Sequence, residues 1–589
     1  MPDQKDSRQL LVDILSESAV GSTTCEHVRK LCGGIEKGTQ HSNLGIGQLA
    51  KLSKAHFEEQ LHAWAGKQVW RHLLPRIYSF PITFLTQDGM GTEEQLQYFI
   101  LPHELFNTAH SAGLDLFEHI FGTQKDLKSW WQGAESTPND WYNKHPIIQE
   151  VPSNLRYPLG MHGDDGGMHG QEPVLVLSWN SVVPLKPNDW SRLLFTMVKV
   201  SSVSTNTMHA IYSILRWSFT ALAEGKFPSA DHSGRAFSRQ YDPQRFFLAG
   251  KPLAGGIRGI WSELRGDWKY LKECLHLQKH AGTRPKICHL CSAGKVHDDM
   301  TYSNFASDAG HRATVTDNDD FMARYLAVAM FCPLLLIPGF HIFRVFFDLM
   351  HTLDLGVFQL VMPSCLWELT AKDYVWKEST RGKRFAKAYG EYRTWCKGQK
   401  VKSITKKRFT FARFRPTAKC YPMMSQVTAK AAATRSMAYW IEELCGKYAE
   451  SHHEKIRACM MHNFIKADMV CRRAGRYFTT DEHDAFKKHI EKSLRCYNEL
   501  ASEALAAKVL NWKIIPKFHA LIHIANDFGN INPRRVHCYA DEDMVGKMKR
   551  IFTKCHANTA CLRSLQRYAM LVALKWWIKL HSLRNIPTD

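Results

Sequence analysis

The chain has 589 residues, 77 Lys plus Arg against 56 Asp plus Glu, and a net charge of +21. A hydrophobic content of 44% with 23% charged residues excludes a chain disordered throughout, and the length calls for two to four domains. The cationic excess points to a polyanionic partner, nucleic acid ahead of an anionic membrane. It is concentrated: residues 371–420 carry 16 Lys plus Arg against 3 Asp plus Glu, so 16 − 3 = +13 falls in fifty residues.

In chain order, residues 1–150 read as a mainly helical region of unknown role. "LAKLSKAHFEEQLHAWAGKQVWRHLLPRI" has apolar residues at three-to-four spacing and stops at Pro75. "MPDQKDSRQLLVDILSES" shows no apolar leader, so the 16 scattered Cys are expected as reduced thiols in cytosol or nucleus. The lone "GIGQLA" has no strand before it and is no dinucleotide site. From Asn154, "LRYPLGMHG", "PVLVLSWNSVV" and "LLFTMVKVSSV" are three successive strands. A helix, "TMHAIYSILRWSFTALAEG", and a fourth strand ending in "LRGDW" follow. This order is the opening of a ribonuclease H-like fold, in which a crossover brings in a parallel fourth strand. The uncharged run Tyr325–Phe343 is expected as a buried helix and a buried strand rather than a membrane span. Beyond His351 the pattern is of long helices with basic faces.

Two-cation phosphoryl transfer needs carboxylates converging from different elements, because hard Mg²⁺ or Mn²⁺ ions take oxygen ligands. Asp164 in "HGDDGG", Asp267 in "LRGDWKYL" and Glu542 in "YADEDMVGKMKR" fall where such a core supplies them, with Asp165 competing with Asp164. Each also has a plain structural explanation. Asp164 and Asp165 suit a tight hairpin turn, Asp267 a helix N-cap, and Glu542 the favourable end of a helix dipole. Asp348-x-x-His351 lies in an apolar segment, where the two are expected to hold each other or a neighbouring acid; Asp354 shares a helical face with His351. Cys288-x-x-Cys291 has zinc-ligand spacing, with His280, His297 and Cys274 within reach, or these are buried thiols. His519 and His523 lack the Glu of a metalloprotease and are read as part of a core or surface helix.

In the basic block, Lys383, Arg384, Lys387, Arg393, Lys406, Lys407, Arg408, Arg413 and Arg415 are candidate phosphate contacts. Interleaved aromatics (Phe385, Tyr389, Tyr392, Trp395, Phe409, Phe411, Phe414) could stack unpaired bases or line a buried stripe. Arg534 and Arg535 precede Glu542 and either contact DNA phosphates or are solvated.

The succession "HGDDGG", "LRGDWKYL…CHLC", "FDLMHTLDLGV", "PRRVHCYADEDMVGKMKR" resembles the CACTA-type (En/Spm-like and Plavaka-like) DDE transposases, and above all the transposase-derived proteins of dinoflagellate genomes. The resemblance spans roughly residues 150–560. It implies an α/β ribonuclease H-like core, a mixed five-stranded sheet with flanking helices, interrupted by a large helical insertion. The core would run over 151–350 and 516–589, with the basic insertion at 351–515. It further implies that Asp164, Asp267 and Glu542 are the catalytic acids holding two Mg²⁺ or Mn²⁺ ions, with Asp348 and His351 as a supporting D-x-x-H pair. The implied activity is DNA cleavage and strand transfer at transposon ends, in the nucleus, by a homo-oligomer engaged with those ends. Two other readings stay open: a catalytically inactive, transposase-derived nucleic-acid-binding protein, and a zinc-stabilised interaction scaffold.

Overall fold

The computed structural model describes residues 13–584 apart from residues 16, 19–24, 39–45, 54–55, 69, 138–139, 169–171, 185–190, 283–284 and 296–298. It is a mixed α/β protein with a four-stranded mixed sheet and a large helical part.

The N-terminal region holds helices, among them Cys25–Gly38, Phe57–Ala65 and Pro102–Ala112, and one element the helical reading missed. This is an antiparallel hairpin of β1 (Tyr78–Leu85) and β2 (Thr92–Phe99), with Tyr78 opposite Phe99. Tyr78, Phe80, Ile82 and Phe84 alternate with exposed residues along β1, the period-two pattern of a half-buried strand. The hairpin continues into the main sheet: the Ile100 N–H donates to the Phe195 carbonyl at 2.9 Å.

The main sheet comprises β3 (Arg156–Met168), β4 (Glu172–Ser181), β5 (Leu193–Lys199) and β6 (Arg258–Arg265), in the order β5-β4-β3-β6. Neighbours β3/β4 and β4/β5 are antiparallel, while β3 and β6 are parallel. The crossover between β5 and β6 uses the Thr205–Glu224 helix, whose start is fixed by a reciprocal capping box between Ser204 and Thr207. The expected fifth strand is reduced to one parallel bridge, Leu264 with Val345. Prolines 333 and 338 explain this: each removes a ladder donor, and the Tyr325–Phe343 run breaks into the end of the Asn318–Leu326 helix and two short 3₁₀ turns. No helix among the described residues is long and apolar enough to cross a membrane.

Residues 351–515 are helical as expected. The Arg381–Gly398, Ala431–Lys447, His452–Arg473 and Thr480–Ala506 helices make up most of the segment. Capping boxes at Ser451/Glu454 and Thr479/Glu482 start the last two. The chain then returns through the Pro516–Asn526 helix to the Tyr539–Phe552 helix, which packs against β3, and ends in the Ala560–Arg584 helix against β5.

Candidate functional site

Asp164 does not sit in a hairpin turn. It lies inside β3, opposite Val176 of β4, and the strand continues to Met168. On its other side β3 runs parallel to β6 with His162 opposite Arg265. Continuing both chains by two residues brings Asp164 and Asp267 to the same end of adjacent strands, where both line one cavity. Asp267 also caps the following Trp268–Cys274 helix, its Oδ1 accepting the Tyr270 N–H at 2.6 Å. The cap orients the carboxylate, so the structural and functional readings of this residue are compatible. Two glycines make the corner possible. A Cβ at Gly163 would lie 2.2 Å from the Tyr270 ring, and one at Gly266 2.3 Å from it. Asp165 lines the same cavity but is paired with Lys269 Nζ at 2.5 Å.

Glu542 enters from the first turn of the Tyr539–Phe552 helix. The three acids form one electrostatic cluster: burial, then Glu542, then Asp267 push the Asp164 carboxyl up to about 8. Of the run Asp541–Glu542–Asp543, Asp541 is fully buried in an ion pair with Arg192 (2.6 Å) and Arg265 (3.0 Å), and Asp543 is exposed. Glu542 is the member turned to the cluster.

The D-x-x-H residues hold each other and reach the third acid. His351 Nδ1 lies 2.7 Å from Asp348 Oδ2, and His351 Nε2 lies 3.4 Å from Glu542 Oε1. Asp348 is fixed from a second side by the Cys538 N–H at 2.9 Å. Burial opposes charge on both partners, but their pairing outweighs it: His351 is raised to about 10 and Asp348 lowered to about 2. Glu542 is drawn down too, burial being outweighed by His351. The segment carrying His351, Met350–Val357, is a π-helix, a wide turn frequent at functional sites. Its register sends Asp354 away from His351 to Arg534 and the Tyr539 hydroxyl. Lys517 was missed by sequence reasoning: half-buried, with its ammonium pKa lowered by desolvation, it feels both Asp267 and Asp348.

The cysteine motif finds its partners far along the chain. Cys288 Sγ lies 3.3 Å from His523 Nε2, Cys291 Sγ lies 3.3 Å from His519 Nε2, and the two Nε2 atoms are 3.0 Å apart. All four donors are buried and lie within 4.8 Å of one another. A tetrahedral zinc with ordinary Zn–S and Zn–N lengths separates its donors by roughly 3.3–3.8 Å, so the set fits such an ion. The surroundings agree: the Leu290 and Ala293 N–H groups each donate to a cysteine sulfur at 3.4 Å, and His523 Nδ1 is held by Asp527 at 2.6 Å, the outer partner a metal-bound imidazole usually has. The helical pair His519/His523, set aside in the sequence, thus replaces the expected histidines. His280 sits in a local turn, its Nδ1 accepting the Gly282 N–H, and His297 lies outside the described residues. Cys274 is packed with Cys332, Tyr212 and Tyr270 instead. A second cluster, His162, Cys538 and Asp541, does not fit a metal, because Asp541 is already held by two guanidinium groups that would repel a cation.

The basic block divides in two. Lys383, Lys387, Arg393, Lys406, Lys407, Arg408 and Arg413 are exposed. Arg384 is spent internally on the Thr370 and Glu378 carbonyls, and Arg415 packs 4.9 Å from the Trp367 ring centre. The aromatics do not present base-stacking faces: Phe385, Tyr392, Phe409 and Phe414 are buried and pack on one another and on Trp440, and of the group only Phe411 is well exposed. Arg534 is also no surface cation. It is buried between Asp354 (2.5 Å) and Asp468 (2.8 Å), joining the π-helix to the helical insertion. Arg535 is half-buried and donates to the Ala474 carbonyl at 3.0 Å.

No family model matches this chain, and a search of curated proteins finds no match.

Proposed function

We propose that the chain is a DDE-type, transposase-like DNA-processing protein, built on a ribonuclease H-like core, that cleaves phosphodiesters and transfers strands at transposon ends. The observation that carries the reading is that Asp164 and Asp267 line one cavity from adjacent strands; burial first, then Glu542 and Asp267, push the Asp164 carboxyl up. Like charges brought together at a cavity are costly unless a cation compensates them. Asp164, Asp267 and Glu542 would hold two Mg²⁺ or Mn²⁺ ions. Bound there, such ions supply Lewis-acid activation of the attacking oxygen and stabilisation of the leaving one. The chain's own groups position that chemistry: the Tyr270 N–H fixes Asp267, and Asp348, through His351, fixes Glu542. The sheet order, with a parallel strand beside β3 and a bridge from Val345 beyond it, supports the ribonuclease H-like reading. The exposed cations of 383–413 would grip the DNA backbone, and Cys288, Cys291, His519 and His523 would hold a structural zinc. Action in the nucleus as a homo-oligomer on paired DNA ends belongs to the same proposal and rests on the family resemblance.

A metal-dependent nicking assay on supercoiled DNA with Asp267→Asn as control tests it. Cleavage by the parent protein in Mg²⁺ or Mn²⁺, lost in the variant, is expected; cleavage by neither sinks the catalytic reading. One observation favours the inactive, nucleic-acid-binding alternative. The His351 imidazolium beside Glu542 takes up negative charge that a metal would otherwise meet. In that case DNA binding persists and no metal condition yields nicks.

A further inference from the structure

Behind the Tyr539–Phe552 helix lies a cavity of about 290 Å³, far beyond the roughly 10–15 Å³ one water needs. Its walls carry Arg192, Arg265, Arg476, Arg534 and Arg535, and Glu263 is the one carboxylate among the described residues lining it. Arg534 is neutralised by Asp354 and Asp468. The other four share two acids: Glu263 takes Arg265 and Arg476, while Asp541 takes Arg192 and Arg265. Counting Arg534 with its two acids, five cations face four anions, which leaves an excess of one positive charge, 5 − 4, among the described residues. Arg535 has a carbonyl partner but no carboxylate, and the buried Nε–H groups of Arg476 and Arg535 have no acceptor. A buried, under-neutralised guanidinium is costly, and planar forks with free N–H groups match a tetrahedral oxyanion. Ala540, in the first turn of a 14-residue helix, lines the same cavity, and a helix start adds favourable potential for an anion. Glu542 lies two residues further along that turn.

We infer that this arginine-lined cavity is a phosphate subsite for the nucleic-acid strand, within one helical turn of Glu542. The identity of the strand rests on the proposed function; the site's preference for a phosphate group rests on the arginines alone. The test uses the full chain without divalent metal. Inorganic phosphate should raise the melting temperature of the parent protein, and Arg535→Gln should need at least tenfold more phosphate for the same shift, with Arg535→Lys in between. A single-stranded oligonucleotide should bind Arg535→Gln about five- to tenfold more weakly, and phosphate should compete with it in the parent protein. Absence of phosphate protection in the parent, or protection equal in Arg535→Gln, overturns the subsite. Phosphate protection sensitive to Arg535 with unchanged oligonucleotide binding overturns its assignment to nucleic acid and leaves a small phosphate as the occupant. Asp267→Asn separates this inference from the nuclease reading: it should keep phosphate protection while losing cleavage. A protein that never cleaves but shows Arg535-dependent protection refutes only the nuclease, whereas one that cleaves without such protection refutes only the subsite.

Discussion

His351 bridges Asp348 and Glu542, 2.7 Å from the first and 3.4 Å from the second, so one imidazolium ties a buried acid to the acid that acts on Asp164. Removing it by His351→Gln leaves Asp348 buried without a counter-charge. Breaking a buried pair from one side is strongly unfavourable, though three backbone N–H groups still serve Asp348. A loss of about 2–3 kcal/mol in urea unfolding at pH 7 is expected. In the parent protein this contribution is full below pH 6.5, the unfolded value, and is lost as pH rises through about 10, where folded His351 gives up its proton. An unchanged urea midpoint in the variant would show that the bridge carries no stability.

Asp164 has the opposite linkage. Its folded pKa of about 8 lies above the ordinary carboxylate range, so the unfolded chain ionises first and binds fewer protons from pH 4 upward. Metal-free stability should therefore fall between pH 4 and pH 8. Asp164→Asn should lack that part of the slope and be more stable than the parent at pH 8 by about 1–2 kcal/mol. Melting curves in chelator across this range, followed by Mn²⁺ addition, check both halves: Mn²⁺ should stabilise the parent and not the variant.

Asp541 and Glu542 are neighbours with separate tasks. Asp541→Asn strips two guanidinium groups of their shared anion and should cost about 3–5 kcal/mol. Glu542→Gln should leave the fold intact and abolish nicking. Circular dichroism melts beside the nicking assay distinguish them, and equal stability of the two variants would contradict the arrangement described.

The Cys288, Cys291, His519, His523 set should bind about one zinc per chain. Chelation, Cys288→Ser or His519→Ala should each remove the metal and lower the melting temperature, while His280→Ala should do neither. Metal analysis of purified protein reads this directly, and zinc retained in His519→Ala would exclude the ligand set.

The exposed cations should make DNA binding steeply salt-dependent. Deleting one of them, for example by Lys387→Ala or Arg393→Ala, should reduce the slope of log K against log salt by about 0.7–0.9 for each phosphate no longer neutralised. A slope near zero in the parent protein would favour a protein-binding scaffold.

The main sheet was legible because its strands are nearly continuous apolar runs, as "PVLVLSW" and "LLFTMV" show. The order of the acids along the chain also anticipated that Asp164 and Asp267 follow neighbouring strands, where both line one cavity. The hairpin at residues 78–99 was overlooked although Tyr78, Phe80, Ile82 and Phe84 alternate, because Pro81 interrupts the run and most of β2 is polar and exposed. Local patterns could not show pairings made across the whole chain. Arg534 reads as a surface charge until Asp354, 180 residues earlier, meets it. His519 and His523 carry no local metal motif because their partners are 228 and 235 residues away.

That separation has a consequence for how the molecule is made. During synthesis from the N-terminus, both cysteines emerge more than two hundred residues before either histidine, and the helical segment between them must be threaded out first. The pair of thiols therefore spends much of translation without its histidine neighbours. The contacts between these thiols and the two imidazoles can form only once both histidines have left the ribosome, so a nascent chain ending before residue 519 would hold half of this buried set.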